Sequence, residues 1–127
     1  MNNYNLEESS LIKKQIKLST ILLLTIIVSI SLSYNELKKM QNKKSIYNKK
    51  QEKTINQINR TIALLIAIGY LLINITDKNI KNKYKKNSKD ANLQIIVSTL
   101  SLIGAIIVLY IALKDENEEI ELENPED

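Results

Sequence analysis

The longest uncharged segment of the chain, residues 93–113, constrains the fold more than any other feature. Its 21 residues, LQIIVSTLSLIGAIIVLYIAL, include no Asp, Glu, Lys or Arg. A helix of this length is about 31 Å long, because each residue adds about 1.5 Å. That length matches the hydrocarbon core of a bilayer, which is about 30 Å thick. The segment therefore predicts a membrane-spanning helix.

Two shorter uncharged segments precede it. Residues 18–34 are 17 residues long, the lower limit for a spanning helix, and residues 61–76 are 16 residues long. A cleaved signal peptide is the alternative for the first segment, because lysines precede it and Ser31 and Ser33 offer a small-residue cleavage site. Its length exceeds the usual apolar region of about 7–15 residues, which favours a retained anchor. The sequence thus predicts three transmembrane helices.

The segments between and after these spans are polar. Residues 35–60 hold eight basic and two acidic side chains, and Ile55, Ile58 and Ile62 have a helical spacing that continues into the second span. We therefore expect helical extensions that project from the membrane as a hairpin. After the third span, eight acids and one lysine predict a disordered tail.

The predicted fold is an all-α integral membrane protein with three transmembrane helices, helical hairpin extensions and a disordered acidic C-terminal tail. Its predicted order is a polar N-terminal tail (1–17), transmembrane helix 1 (18–34), a basic, partly helical connecting segment (35–60), transmembrane helix 2 (61–76), a basic link (77–92), transmembrane helix 3 (93–113) and an acidic tail (114–127).

The orientation in the membrane is undecided by charge. Three spans place residues 35–60 and the acidic tail on one face, and the N-terminal tail and residues 77–92 on the other. Each face carries nine Lys and Arg residues, so the positive-inside rule does not choose between them. The negative tail slightly favours an outside C-terminus in an energised membrane, and the tie also permits both orientations. We expect a multi-pass protein of the cell membrane.

The composition removes most catalytic chemistry. The chain has no Cys and no His, which excludes disulfides, thiolate chemistry and the commonest general base and metal ligand. The three spans lack charged residues, from which proton relays and transporter sites are built. No phosphate-binding loop, metal motif or nucleophile elbow occurs. We expect no enzyme activity, no catalytic residue, no metal and no cofactor.

The lysines have two competing interpretations. Asn, Ile and Lys supply 54 of the 127 residues, a bias typical of a low-GC bacterial genome, and this lowers the functional weight of each lysine. The lysine-rich segments 35–60 and 77–92 either bind anionic lipid headgroups, at about 1 kcal/mol per residue, or are simply solvated. Nucleic acid is not an expected partner, because these segments are tethered beside a membrane.

Small and polar residues form stripes within the predicted spans at helical intervals of three and four. Small residues let helix backbones approach, and polar ones hydrogen-bond across the contact. The simpler interpretation is that this helix-packing seam joins the three helices of one chain; the alternative is that part of it faces a second copy or another protein. The candidate seam residues are Ala63, Ala67, Tyr70, Asn74, Gln94, Ser98, Ser101, Ala105 and Ala112.

These features predict a small non-catalytic membrane protein that acts through helix contacts with itself or with another membrane protein. In its size, its three spans and its charged tail, the chain is similar to one class of phage holins. That resemblance of architecture implies membrane permeabilisation as the alternative function. The tail departs from the pattern expected of those holins, because it is acidic where theirs would be basic.

Overall fold

A computed structural model describes residues 2–123, with side chains described through Lys114, and shows three α-helices. Helix α1 spans Asn3–Met40, α2 spans Lys49–Lys83 and α3 spans Lys89–Glu123. Each is long and apolar enough to cross a membrane. The expected all-helical architecture with three candidate spans is therefore confirmed.

The ends of the helices have local causes. The Asn48 side chain accepts a hydrogen bond from the N–H of Gln51 at 2.8 Å, and the Gln51 side chain accepts one from the N–H of Asn48 at 3.0 Å. This capping box starts α2. Just after α1 and α2, Asn42 and Lys85 adopt left-handed backbone conformations with φ of 58° and 56°. Such residues end a helix by turning the chain away from its axis.

Helix α2 is the middle helix of the structure. It packs against both α1 and α3, whereas α1 and α3 have no Cα atoms within 8 Å of each other in the described part of the chain. The ion pair of Glu7 with Lys83 and the hydrogen bond of Asn35 with Glu52 show that α1 and α2 are antiparallel along their whole length. Any coupling between α1 and α3 therefore passes through α2.

A seven-residue repeat lines the contact between α1 and α2. Most of its members are buried, with Ile66 only 4% exposed. A period of seven in two paired helices is the pattern of a coiled coil, in which each side chain packs between those of the facing helix. The repeat comprises Tyr4, Leu11, Leu18, Thr25, Leu32 and Lys39 in α1 and Glu52, Asn59, Ile66, Ile73 and Ile80 in α2.

Most large apolar side chains point away from the protein. Leu100 and Ile30 are 64% and 63% exposed, and only 11% of the most apolar 18-residue window of α1 is buried. The buried apolar cluster is small and is centred on Leu11, Ile73 and Ile80. Water-soluble monomers rarely expose contiguous apolar surface of this extent, so the distribution fits a lipid solvent.

The uncharged segments of α1 and α2 are staggered. Leu18, the first residue of the segment in α1, lies against Gly69, because a Cβ at Gly69 would be 2.8 Å from Leu18 Cδ1. The segment in α2 continues to Thr76, which is about 10 Å further along that helix. The lysine-bearing turn that precedes Leu18 therefore lies beside uncharged α2.

Helix continues through much of what the sequence assigns to links and tail. Helices α1 and α2 leave only residues 41–48 between them, and α2 and α3 are separated by residues 84–88. Helix α3 extends to Glu123. The disorder expected for residues 114–127 is thus not seen over residues 114–123, and residues 124–127 lie outside the described residues.

Replacing Gly69 with valine tests the close approach of α1 to α2. The added side chain would meet the end of Leu18, which has room to shift for one methyl group but not for a branched side chain. We expect Gly69→Val to lower the stability measured by thermal unfolding in mild detergent by about 1–3 kcal/mol, as overpacking usually does.

Two further variants separate this contact from a general effect of losing glycine. Adding Leu18→Ala to Gly69→Val should recover much of the loss, because the shorter side chain frees the volume. Gly104→Val is the matched control, since a Cβ at Gly104 would meet no atom within 4 Å. Measured in detergent excess that keeps the chain monomeric, equal losses for the two glycine variants would contradict the contact.

Candidate functional site

The contact between α2 and α3 includes small buried side chains. Ala67 of α2 and Ala91 and Ser98 of α3 are buried, and Ala91 is only 1% exposed. Ala105 and Ala112 continue the line of Ala91 and Ser98 at intervals of seven residues and are half-buried. Small side chains let two helix backbones approach closely, which is a common basis of helix association in lipid.

Asn74 links α2 to α3 through a polar contact. Its Nδ2 donates a hydrogen bond to the hydroxyl of Ser98 and a longer one, of 3.4 Å, to the backbone carbonyl of Gln94. The Gln94 side chain is exposed. Of the two carboxamides in the predicted seam, one therefore acts through its side chain and the other through its backbone.

The remaining predicted seam residues do not share one contact. The Tyr70 hydroxyl is hydrogen-bonded to the Ser19 hydroxyl of α1, so Tyr70 faces α1 although Asn74, one turn away, faces α3. Ala63 is half-buried, and Ser101 is exposed. The structure therefore brings Asn74 and Ser98 together, assigns Tyr70 to the other neighbour and leaves Ser101 on the outside.

A buried asparagine that the sequence analysis did not single out closes the α1–α2 hairpin. Asn35 is fully buried. Its Oδ1 accepts hydrogen bonds from the backbone N–H groups of Ile46 at 2.8 Å and Tyr47 at 2.9 Å, and its Nδ2 donates to Glu52 Oε2 at 3.1 Å. Every polar atom of this side chain is thus used to hold the connection 41–48 against α1 and the start of α2.

A second buried asparagine, Asn59, forms a polar layer within the seven-residue repeat. Its Nδ2 donates hydrogen bonds to the backbone carbonyl of Thr25 at 3.1 Å and to the Ser29 hydroxyl at 3.0 Å. One polar residue in an otherwise apolar repeat fixes the register of paired helices at some cost in stability. The signal was present in the sequence, because Asn59 lies seven residues before Ile66.

Each end of the α1–α2 pair carries carboxylates close to a lysine. At the end near the connection, Lys39 forms an ion pair with Glu52. A hydrogen bond with Glu52, aided by burial, raises the pKa of Glu36 above its usual value. Two acids thus share one lysine, and a proton held by Glu36 reduces the repulsion between them.

The opposite end repeats this arrangement with different residues. Lys81 pairs with Asp77 at 2.9 Å. Burial, a hydrogen bond with Asp77 and the charge of Asp77 together raise the pKa of Glu8 to about 7. The neighbouring Glu7 behaves oppositely, because hydrogen bonds from Tyr84 and Lys83 lower its pKa.

Comparison of the chain with models of known protein families, with curated proteins and with solved structures gave no match. Among the residues whose side chains are described, no three His, Cys, Asp or Glu residues converge on a possible metal site. The fold and the site define the class only as a three-helix protein with candidate membrane spans. That the chain lacks catalytic and cofactor-binding residues stays a prediction.

Paired cysteines test the contact between α2 and α3 without background, because the chain has no cysteine of its own. We expect Asn74→Cys combined with Ser98→Cys to form an intramolecular disulfide on mild oxidation, since the two native side chains are hydrogen-bonded. Tryptic cleavage between α2 and α3 should then leave the two fragments joined on a non-reducing gel. The control pair is Asn74→Cys with Ser101→Cys, and a cross-link in this pair alone would mean that α3 is rotated.

The raised pKa of Glu8 predicts that stability falls as the pH rises. In the folded chain Glu8 holds its proton up to a pH of about 7, whereas in the unfolded chain it loses it near 4.5. Its contribution to folding is therefore fully present below pH 4.5 and is lost by pH 7. We expect the thermal unfolding midpoint in mild detergent to fall by a few degrees between pH 5 and pH 8.

The neighbouring glutamate provides the control for this pH dependence. Glu8→Gln mimics the protonated acid and should abolish most of the fall. Glu7→Gln should leave it in place, because the lowered pKa of Glu7 predicts titration at more acidic pH. The assignment to Glu8 would fail if both variants kept the same slope.

Proposed function

We propose that this chain is a small, non-catalytic, multi-pass protein of the cell membrane that acts by associating through its helices, first with a second copy of itself and otherwise with another membrane protein. The support comes from the small, unpaired flank of α3. Its three candidate spans carry no charged group within the uncharged segments, which leaves helix contacts as the chemistry available there.

One flank of α3 presents small side chains to the exterior. Val97, Ser101 and Val108 are exposed, and Gly104 lies between them at intervals of three and four residues. A Cβ added at Gly104 would meet no atom within 4 Å. Another helix is able to approach α3 closely on this flank, and the exposed Ser101 hydroxyl offers a hydrogen bond across such a contact.

The opposite flank of α3 provides a matched control. Thr99, Ile103, Ile106 and Tyr110 repeat the same intervals on that side, and all are exposed. Three of these side chains are large, which keeps a neighbouring backbone at a distance. Ser101→Leu and Thr99→Leu therefore make a similar chemical change two residues apart, on different sides of one helix.

Association is measured with the full chain in mild detergent by sedimentation equilibrium, and in vesicles by energy transfer between labelled copies. We expect the wild-type chain to self-associate, Ser101→Leu to weaken association about tenfold and Thr99→Leu to change it little. A wild-type chain that stays monomeric in both settings would remove self-association. The proposal would then rest on recovering a specific membrane-protein partner, and finding none would end it.

The alternative proposal is a holin-like permeabiliser, which rests on the three apolar helices in a chain of 127 residues with a charged end. Such a protein would collapse the membrane potential on expression. Induced expression that leaves growth and membrane potential unchanged would eliminate this alternative and leave the association proposal standing.

A further inference from the structure

A groove of about 390 Å³ lies between α1 and α2 near the N-terminus of α1. Leu11 and Leu18 of α1 and Leu72 and Ile73 of α2 line it. Gly69 adds no side chain to its inner end, where a Cβ would collide with Leu18. Its size lies within the range of about 300–1,000 Å³ of small-molecule sites, and its walls are mostly aliphatic.

Two lysines stand on the same groove. Lys14 and Lys17 line it from α1, one turn apart, and both are exposed. Among the residues whose side chains are described, neither forms an ion pair with an acid. The stagger of the helices places them opposite Leu72 and Thr76, within the uncharged segment of α2 rather than beyond its end.

A pair of unpaired ammonium groups at this depth favours a particular ligand. Long lysine side chains reach toward the headgroup level of a bilayer while their stems stay on apolar surface. A ligand that fills the groove must then combine an aliphatic chain with a negative group at its outer end. Anionic phospholipids have both parts, whereas zwitterionic phospholipids carry no net charge.

We propose that this groove binds one anionic phospholipid, with its phosphate at Lys14 and Lys17 and one acyl chain along Leu18 and Leu72. The site lies on the N-terminal segment of α1, outside the lysine-rich links considered above. It depends on the proposed membrane insertion, although not on helix association. A chain that remains in solution without detergent would defeat the membrane proposal, whereas loss of lipid selectivity alone would defeat only this one.

The test uses the full chain, stripped of lipid in mild detergent and titrated with phosphatidylglycerol while bound lipids are counted by native mass spectrometry. Phosphatidylcholine with the same acyl chains and glycerol 3-phosphate, which has no chain, are the comparison ligands. We expect one phosphatidylglycerol to bind in preference to both. The double variant Lys14→Gln, Lys17→Gln should weaken that binding about 30-fold, from the usual attraction of two lysines to anionic lipid.

Two more variants separate the groove from diffuse attraction. Lys43→Gln with Lys44→Gln removes the same charge from two exposed lysines of the connection 41–48 and should change binding little. Leu72→Trp fills the groove without changing charge and should weaken binding as well, and Leu72 is 59% exposed, so the fold accommodates the larger side chain.

Three results would overturn the proposal. Equal weakening by the two lysine pairs would show a diffuse electrostatic effect. Equal binding of phosphatidylglycerol and phosphatidylcholine, or equal binding of glycerol 3-phosphate, would remove either the charge or the chain from recognition. A lipid-free dimer that Leu72→Trp dissociates would assign the groove to a second copy of the chain.

Discussion

The register of α1 against α2 depends on two buried asparagines, and most other features follow from that register. Asn35 and Asn59 have no alternative set of partners nearby that would satisfy them if one helix slid by a turn, and an unsatisfied buried amide is costly. Asn35 holds the hairpin connection and Asn59 holds the middle of the pair. With the register fixed, Leu18 meets Gly69 and the acids at both ends meet their lysines.

Helix α2 carries two kinds of contact on two of its sides. Toward α1 it presents a long repeat of isoleucines interrupted by Asn59, and toward α3 it presents Ala67 and Asn74. In lipid the apolar contacts gain little from exclusion of water, because the solvent is as apolar as the side chains. Close packing and a few hydrogen bonds must therefore determine which helix faces which.

The number and position of the spans were predictable from the sequence, whereas the partner of each stripe was not. Uncharged segments identify spans because charge is costly in lipid whatever the neighbouring helix is. A stripe such as Ala67, Tyr70 and Asn74 shows only that a helix has a packing side. One turn of rotation decides that Tyr70 meets Ser19 while Asn74 meets Ser98. The seven-residue repeat was detectable, but Thr25 and Asn59 interrupt it with polar residues and large apolar residues surround it.

The stagger between α1 and α2 has a consequence for the surrounding bilayer. A rigid pair of helices whose hydrophobic lengths are offset presents a shorter hydrophobic height on one side than on the other. Lipids beside α1 must shorten in the leaflet nearest Lys14 and Lys17, while those beside α3 meet a full-length surface. Such a molecule would deform its membrane asymmetrically, and the elastic cost of that deformation would draw it toward thinner or more strongly curved regions.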